Sequence, residues 1–176
     1  IVSSTASYLS ISGLIDSNRL VNHTQQVIYN LNQGNNVMIE AQTSMRGFII
    51  TGKKDFLNRY DDAEEVSEDY FEKVEMLTRD NPAQQKNMKE LLQLNSNFFQ
   101  YLDKMINDKI NGKLFLADDL EGGRKIMTDI RKMLKHIENE EQTLLAERSS
   151  TSERFGIYSS VLIVVAAIIA LLISGL

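Results

Sequence analysis

Small or apolar side chains recur through Leu20, Thr24, Val27, Leu31, Gly34, Met38, Ala41, Met45 and Phe48 in unbroken steps of four and three. A stripe of that period lies along one side of an α-helix, whereas one face of a β-strand would repeat every two residues. A helix this long, apolar along one seam and polar elsewhere, must lay that seam against other helices. The same rhythm returns three more times, and the only proline in the chain, Pro82, falls between two of these runs. Four long helices are therefore predicted.

The breaks between runs have recognisable chemistry. Thr51-Gly52-Lys53-Lys54 ends the first helix, since Gly52 can adopt the left-handed backbone past a helix end, and Asp55 is placed to cap the next. The second seam is Phe56, Tyr60, Ala63, Ser67, Tyr70, Val74 and Leu77, ending near Arg79. Asp80-Asn81-Pro82 makes the following turn, with Asn81 as cap, Pro82 at the first helical position and Gln84 at the reciprocal capping-box position. Met88, Leu92, Asn95, Phe99, Leu102 and Ile106 form the third seam, which fades near Asn111-Gly112. After a connector from Lys113 to Glu121 and the pair Gly122-Gly123, Ile126, Ile130, Met133, Ile137 and Leu144 form the last. At ~1.5 Å per residue the first helix (Asp16–Ile50) and the last (Arg124–Arg154) both reach roughly 45–55 Å. An all-α, antiparallel up-down-up-down four-helix bundle closes with short loops.

The two ends imply a membrane. Residues 157–176, IYSSVLIVVAAIIALLISGL, carry no charge, and about 20 such residues cross ~30 Å of hydrocarbon as a helix. Residues 1–15 are uncharged as well, lack the basic start and cleavage site of a signal peptide, and are expected to be the outer end of a truncated first membrane helix. The expected organisation is therefore 1–15 in the membrane, 16–154 as an extracytoplasmic bundle, and 155–176 as a second membrane helix into which the fourth bundle helix continues.

A net charge of −5 opposes nucleic-acid binding, which needs a concentrated basic surface. With no cysteine there is neither a disulfide framework nor a thiolate metal site. The two histidines, His23 and His136, fall at different heights along their helices, and neither has a glutamate three residues before it. Shared metal ligation and a di-iron bundle enzyme are therefore not expected. Met38, Met45, Met88, Met105, Met127 and Met133 sit at seam spacing and are expected to fill the core. The acidic run Glu138-Asn139-Glu140-Glu141 is expected to be a solvated face, since successive helical positions point in different directions.

Several segments together match a known pattern. His23-Thr24 followed by Val27 is similar to H-T-x-x-V, and residues 41–52, AQTSMRGFIITG, are similar to A-E-T-x-x-R-G-Y-L-L-T-G. Residues 77–85, LTRDNPAQQ, are similar to L-T-x-D-N-P-x-Q-Q. Met127 with Ile130-Arg131, then Glu140-Glu141, Leu144-Leu145 and Arg148, are similar to M-x-x-I-R and E-E-x-x-L-L-x-x-R. In this order, across about residues 20–148, the chain resembles the CHASE sensory domains of the third type, extracellular modules placed ahead of histidine kinases, nucleotide cyclases, diguanylate cyclases and some chemotaxis receptors. The positions carrying the resemblance include His23, Arg46, Gly47, Thr51, Gly52, Asp80, Asn81, Pro82, Gln85, Arg131, Glu141 and Arg148. One departs from the pattern: Gln42 stands where the family has glutamate.

Arg46 should lie level with Asp129 on the last helix and Asp61 on the second, so an ion pair between bundle faces is the ordinary expectation. The sharper reading makes Arg46 and Arg131 the candidates for holding an anionic ligand. No catalytic residues, metal or cofactor are expected. The resemblance implies a non-enzymatic sensor at the cell membrane, in a homodimer, responding to a small-molecule or protein ligand of unknown identity. Its output is expected to be a histidine kinase, with a chemotaxis receptor or diguanylate cyclase as the alternative. A membrane-anchored structural helical protein is the competing class.

Overall fold

The computed structural model describes the backbone of residues 2–115 and 121–174, with side-chain surroundings throughout 15–115 and 121–147 and at scattered positions beyond. The described residues form four α-helices and no strand: α1 (Val2–Thr51), a 3₁₀ segment (Lys54–Arg59), α2 (Ala63–Leu77), α3 (Pro82–Ile110) and α4 (Glu121–Ser174). They fall into two compact units, one of Gln26–Asn139 and the other of Ile1–Gln25 with Glu140–Leu176.

The Gln26–Asn139 unit holds the apolar core. From α1 it takes Val27, Leu31, Met38, Ala41, Met45 and Phe48, all of them seam positions. Phe71 and Val74 come from α2, Phe98, Phe99 and Leu102 from α3, and Met127, Ile130 and Ile137 from α4. Phe98 and Phe99 meet edge to face at 5.5 Å, the arrangement favoured by the charge distribution of aromatic rings. Of the six seam methionines, Met133 is partly buried and the other five are fully buried.

The observed seams depart from the expected ones by single positions. On α2 Phe71 is buried and Tyr70 only half-buried, with Lys73 Nζ 4.9 Å from the Tyr70 ring centre. On α3 Leu91 is buried ahead of Leu92, and on α4 Met127 ahead of Ile126. For α2 the reason is chemical: a wholly apolar ring gains by full burial, while a phenol needs a partner for its hydroxyl. Gly34 provides the space, since a Cβ there would stand 2.5 Å from Phe71 Cε1.

The first turn also differs from expectation. Thr51 Oγ1 donates to the Gly47 carbonyl (2.7 Å) and accepts from the Lys53 N–H (3.2 Å). Gly52 follows with φ 70°, a conformation that an L side chain resists. The helix expected from Asp55 does not start there. Lys54–Arg59 winds as a 3₁₀ segment, and α2 begins only at Ala63. The tight winding lays Phe56 on α1, so close that a Cβ on Gly47 would lie 2.3 Å from its ring. Gly47 is thus needed for close approach and Gly52 for backbone conformation.

At the second turn Asn81 Oδ1 accepts from the N–H groups of Ala83 (3.1 Å) and Gln84 (3.3 Å), and Pro82 occupies the first helical position. The expected capping box does not form, because the Asn81 N–H donates to the Thr78 carbonyl (2.9 Å). Gln84 is fully buried, and its Nε2 donates to the Ile137 carbonyl on α4 (3.2 Å). Gln85 ties the turn from behind: its Nε2 donates to the Glu75 carbonyl (2.8 Å) and to Thr78 Oγ1 (3.3 Å). Asn81→Ala is expected to cost about 1 kcal/mol, the ordinary value of such a cap, read as a lower midpoint in urea unfolding with an unchanged slope.

Gly112, at φ 83°, ends α3. Part of the expected connector, residues 116–120, lies outside the described residues. Gly122-Gly123 is not a linker but part of the first turn of α4. The Tyr101 ring packs there, 2.7 Å from where a Gly123 Cβ would be, so helix is possible only because side chains are absent.

In the other unit Thr24 and Glu141 are buried. Glu141 overturns the expectation of a fully solvated acidic run, being only 3% exposed. It lies four residues beyond Ile137, so the helical period carries it onto the inner stripe. The side chains expected to lie in the membrane, at 1–15 and 155–176, fall largely outside the described residues. Among the described residues no helix is long and apolar enough to cross a membrane.

Candidate functional site: an arginine cleft

Four residues in the opening turns of α4, Arg124, Met127, Thr128 and Arg131, follow one another at steps of three, one and three and therefore share a face. Gln42 and Arg46, one turn apart on α1, complete the lining of a cleft of ≈ 220 Å³. The approach depends on Gly123: the Gln42 Nε2 lies 3.3 Å from the place its Cβ would take.

The cleft is cationic. Arg124 pairs with Glu121 one turn away. Thr128 Oγ1 donates to the Arg124 carbonyl (2.8 Å). Arg46 and Arg131 are exposed and, among the described residues, neither has an ion-pair partner. The expected bridge from Arg46 to Asp129 or Asp61 is absent, because Asp129 faces Lys132 on its own helix (3.5 Å). Gln42 is 9% exposed and has no hydrogen-bond partner among the described residues. The N-terminal end of α4 adds further positive potential.

The two arginines singled out from the sequence thus line one cleft, and the other motif positions do not join them. Gly47, Thr51 and Gly52 shape the first turn; Asn81, Pro82 and Gln85 shape the second, where Asp80 is exposed. His23 is half-buried, Glu141 is buried, and the Arg148 side chain lies outside the described residues. Arg124 and Thr128 were not anticipated. Their signal was the spacing to Arg131 within the expected last helix. Among the described residues no group of three or more His, Asp or Glu side chains could hold a metal ion.

A second polar cluster lies beside the first turn. Tyr60 donates from its hydroxyl to Asp103 Oδ1 (2.6 Å). Burial, followed by that hydrogen bond and the negative charges of Asp103 and Glu64, raises the Tyr60 pKa far above the ordinary phenol value. Burial, then the charges of Asp103 and Glu68, raises the Glu64 carboxyl. Since the folded pKa of Tyr60 exceeds its unfolded value of about 10, its stabilisation is complete below that pH and declines as pH rises further. Tyr60→Phe is therefore expected to remove a tyrosine that resists ionisation at alkaline pH, read as a smaller late rise in an ultraviolet titration.

No curated protein and no solved structure matches the chain. The CHASE3 domain matches residues 17–151, the stretch that contains the arginine cleft and both ordered turns. On that match the chain belongs to the CHASE3 domain family, the extracellular sensory, non-catalytic modules of signalling receptors.

Proposed function

We propose that the chain is the input segment of a membrane-spanning sensor histidine kinase, working as a homodimer. In this reading a stimulus at the bundle displaces α1 or α4 along or about its axis, and the helices carry the movement across the bilayer. The observation that carries the reading is the CHASE3 match over residues 17–151, flanked by uncharged helical ends.

An up-down-up-down arrangement of the helices is supported by paired numbers that run in opposite senses. Between the first turn and α3 the pairs are Tyr60 with Asp103, Ser67 with Asn95 and Glu75 with Gln85. Gly34 meets Phe71 while Gly47 meets Phe56, and Gln84 meets Ile137 while Tyr101 meets Gly123. Insertion of the ends is supported by exposed apolar side chains at Ile11, Ile15, Val161, Val164 and Ile168, which are costly in water and favourable in lipid. α1 and α4 each run as one helix, and in this reading a shift at one end is passed along the helix.

The absence of native cysteine permits a direct test. Ile11→Cys and Val164→Cys, each in the full chain in membranes, are expected to resist a water-soluble maleimide until detergent is added. Asp62→Cys, at the exposed first turn, should label at once. Ready labelling at 11 and 164 would remove the membrane reading. The kinase output is tested by whether the same polypeptide carries a histidine-containing dimerisation segment and an ATP-binding domain.

A further inference from the structure

We infer that the cleft between α1 and the first turns of α4 is a binding site for a small organic dianion, a short-chain dicarboxylate. This deepens the sensory reading and rests on it for its physiological meaning. Three observations carry it independently.

First, the charges do not close internally. Of the three guanidinium groups around the cleft, Glu121 answers Arg124, and Arg46 and Arg131 are left without a carboxylate among the described residues. Two unanswered positive charges call for two negative ones, and each planar guanidinium matches a carboxylate through two parallel hydrogen bonds. Second, Gln42 is nine-tenths buried at the cleft with its amide unpartnered among the described residues. Its amide atoms are not among the buried polar atoms left without a partner, so they open on the cleft, where the N–H₂ is a free donor for an anion. Third, size limits the ligand. At ≈ 220 Å³ the cleft falls below the roughly 300–1,000 Å³ of drug-sized sites, which suits a chain of a few carbons with a carboxylate at each end. Met127 gives the intervening methylenes an apolar wall.

The position also explains how occupancy is read out. Arg46 and Gln42 ride on α1, and Arg124 and Arg131 on α4. A dianion bridging them favours whichever spacing of the two helices lets both carboxylates be met, and a ligand shifts a conformational equilibrium only through such differential contact.

Isothermal titration of the full chain in detergent micelles at pH 7, with succinate, inorganic phosphate and acetate in separate runs, tests the site. Succinate is expected to bind saturably at one equivalent, with acetate at least ten-fold weaker. Arg46→Gln and Arg131→Gln should each weaken succinate at least ten-fold, and Gln42→Glu should do the same by supplying an internal carboxylate. Both arginines are exposed, so unchanged far-UV circular dichroism should accompany the loss. No succinate binding, binding undiminished in the three variants, or phosphate binding while succinate is silent would each overturn the dicarboxylate assignment. Such failure would leave the sensory reading untouched, because that is tested by proline substitution in α4 with receptor output as the signal.

Discussion

Gly34→Val is expected to unfold the bundle at a temperature about 4–8 °C below that of the unchanged chain. Even a single Cβ at Gly34 would stand 2.5, 2.7 and 3.0 Å from three atoms of the Phe71 ring. That ring is 0% exposed, so it cannot swing into solvent to relieve the clash. Replacing glycine in a helix ordinarily gains up to about 1 kcal/mol, but overpacking a closed core costs about 1–3 kcal/mol, and a β-branched side chain sits toward the upper end. The cost wins. At roughly 2–4 °C per kcal/mol for a chain of this length, a net loss of about 2 kcal/mol gives the stated shift.

Two companion variants make the cause visible. Gly47→Val meets the Phe56 ring at a still shorter distance, yet Phe56 is 43% exposed and can turn aside, so its loss should be clearly smaller. Phe71→Ala alone should cost about 3–5 kcal/mol, and Gly34→Val combined with Phe71→Ala should cost less than the two added together, since the valine partly fills the cavity. Strict additivity in that cycle would show that Gly34 and Phe71 are not coupled as the geometry requires.

Thr151→Pro, introduced into the receptor with its own output domain, is expected to abolish signalling while the core stays folded. Thr151 lies within α4, beyond the Gln26–Asn139 unit. Proline there removes the hydrogen bond to the Glu147 carbonyl and clashes with it, costing about 3 kcal/mol or more locally and kinking the helix. A rod that kinks can no longer pass on a shift of an ångström or two. The measurement pairs output activity with thermal unfolding followed by circular dichroism. Thr151→Ala is the control, expected to keep both. Signalling that survives the proline would mean that α4 is not the transmitting element.

Helix number and most of the core of α1 were legible from pattern alone. Every expected seam position from Thr24 to Phe48 is buried, because a heptad stripe on a long helix has only one way to hide from water. The cap at Asn81 and the left-handed glycine at 52 were legible for a related reason: both are local, set by a few consecutive residues. Legibility failed where the neighbour across the interface chose between adjacent positions. Phe71 displaced Tyr70 because Gly34 faces it, and the capping box at Gln84 did not form because the Asn81 N–H is taken by the Thr78 carbonyl and Gln84 Oε1 by Asn87. Gly122-Gly123 looked like a linker in sequence and is helical because Tyr101 occupies the space where side chains would be.

The same division holds for the cleft. The residue types and their register along each helix, Arg46 one turn beyond Gln42 and Arg131 one heptad beyond Arg124, are properties of the chain itself. Which helices meet, and therefore that these arginines converge while Asp129 turns to Lys132 instead of to Arg46, was decided by tertiary packing. Periodicity specifies the face of a helix, an intrinsic property of a 3.6-residue turn. The partner of that face is settled only when competing side chains, rings against glycines and amides against carbonyls, are fitted together at van der Waals distance.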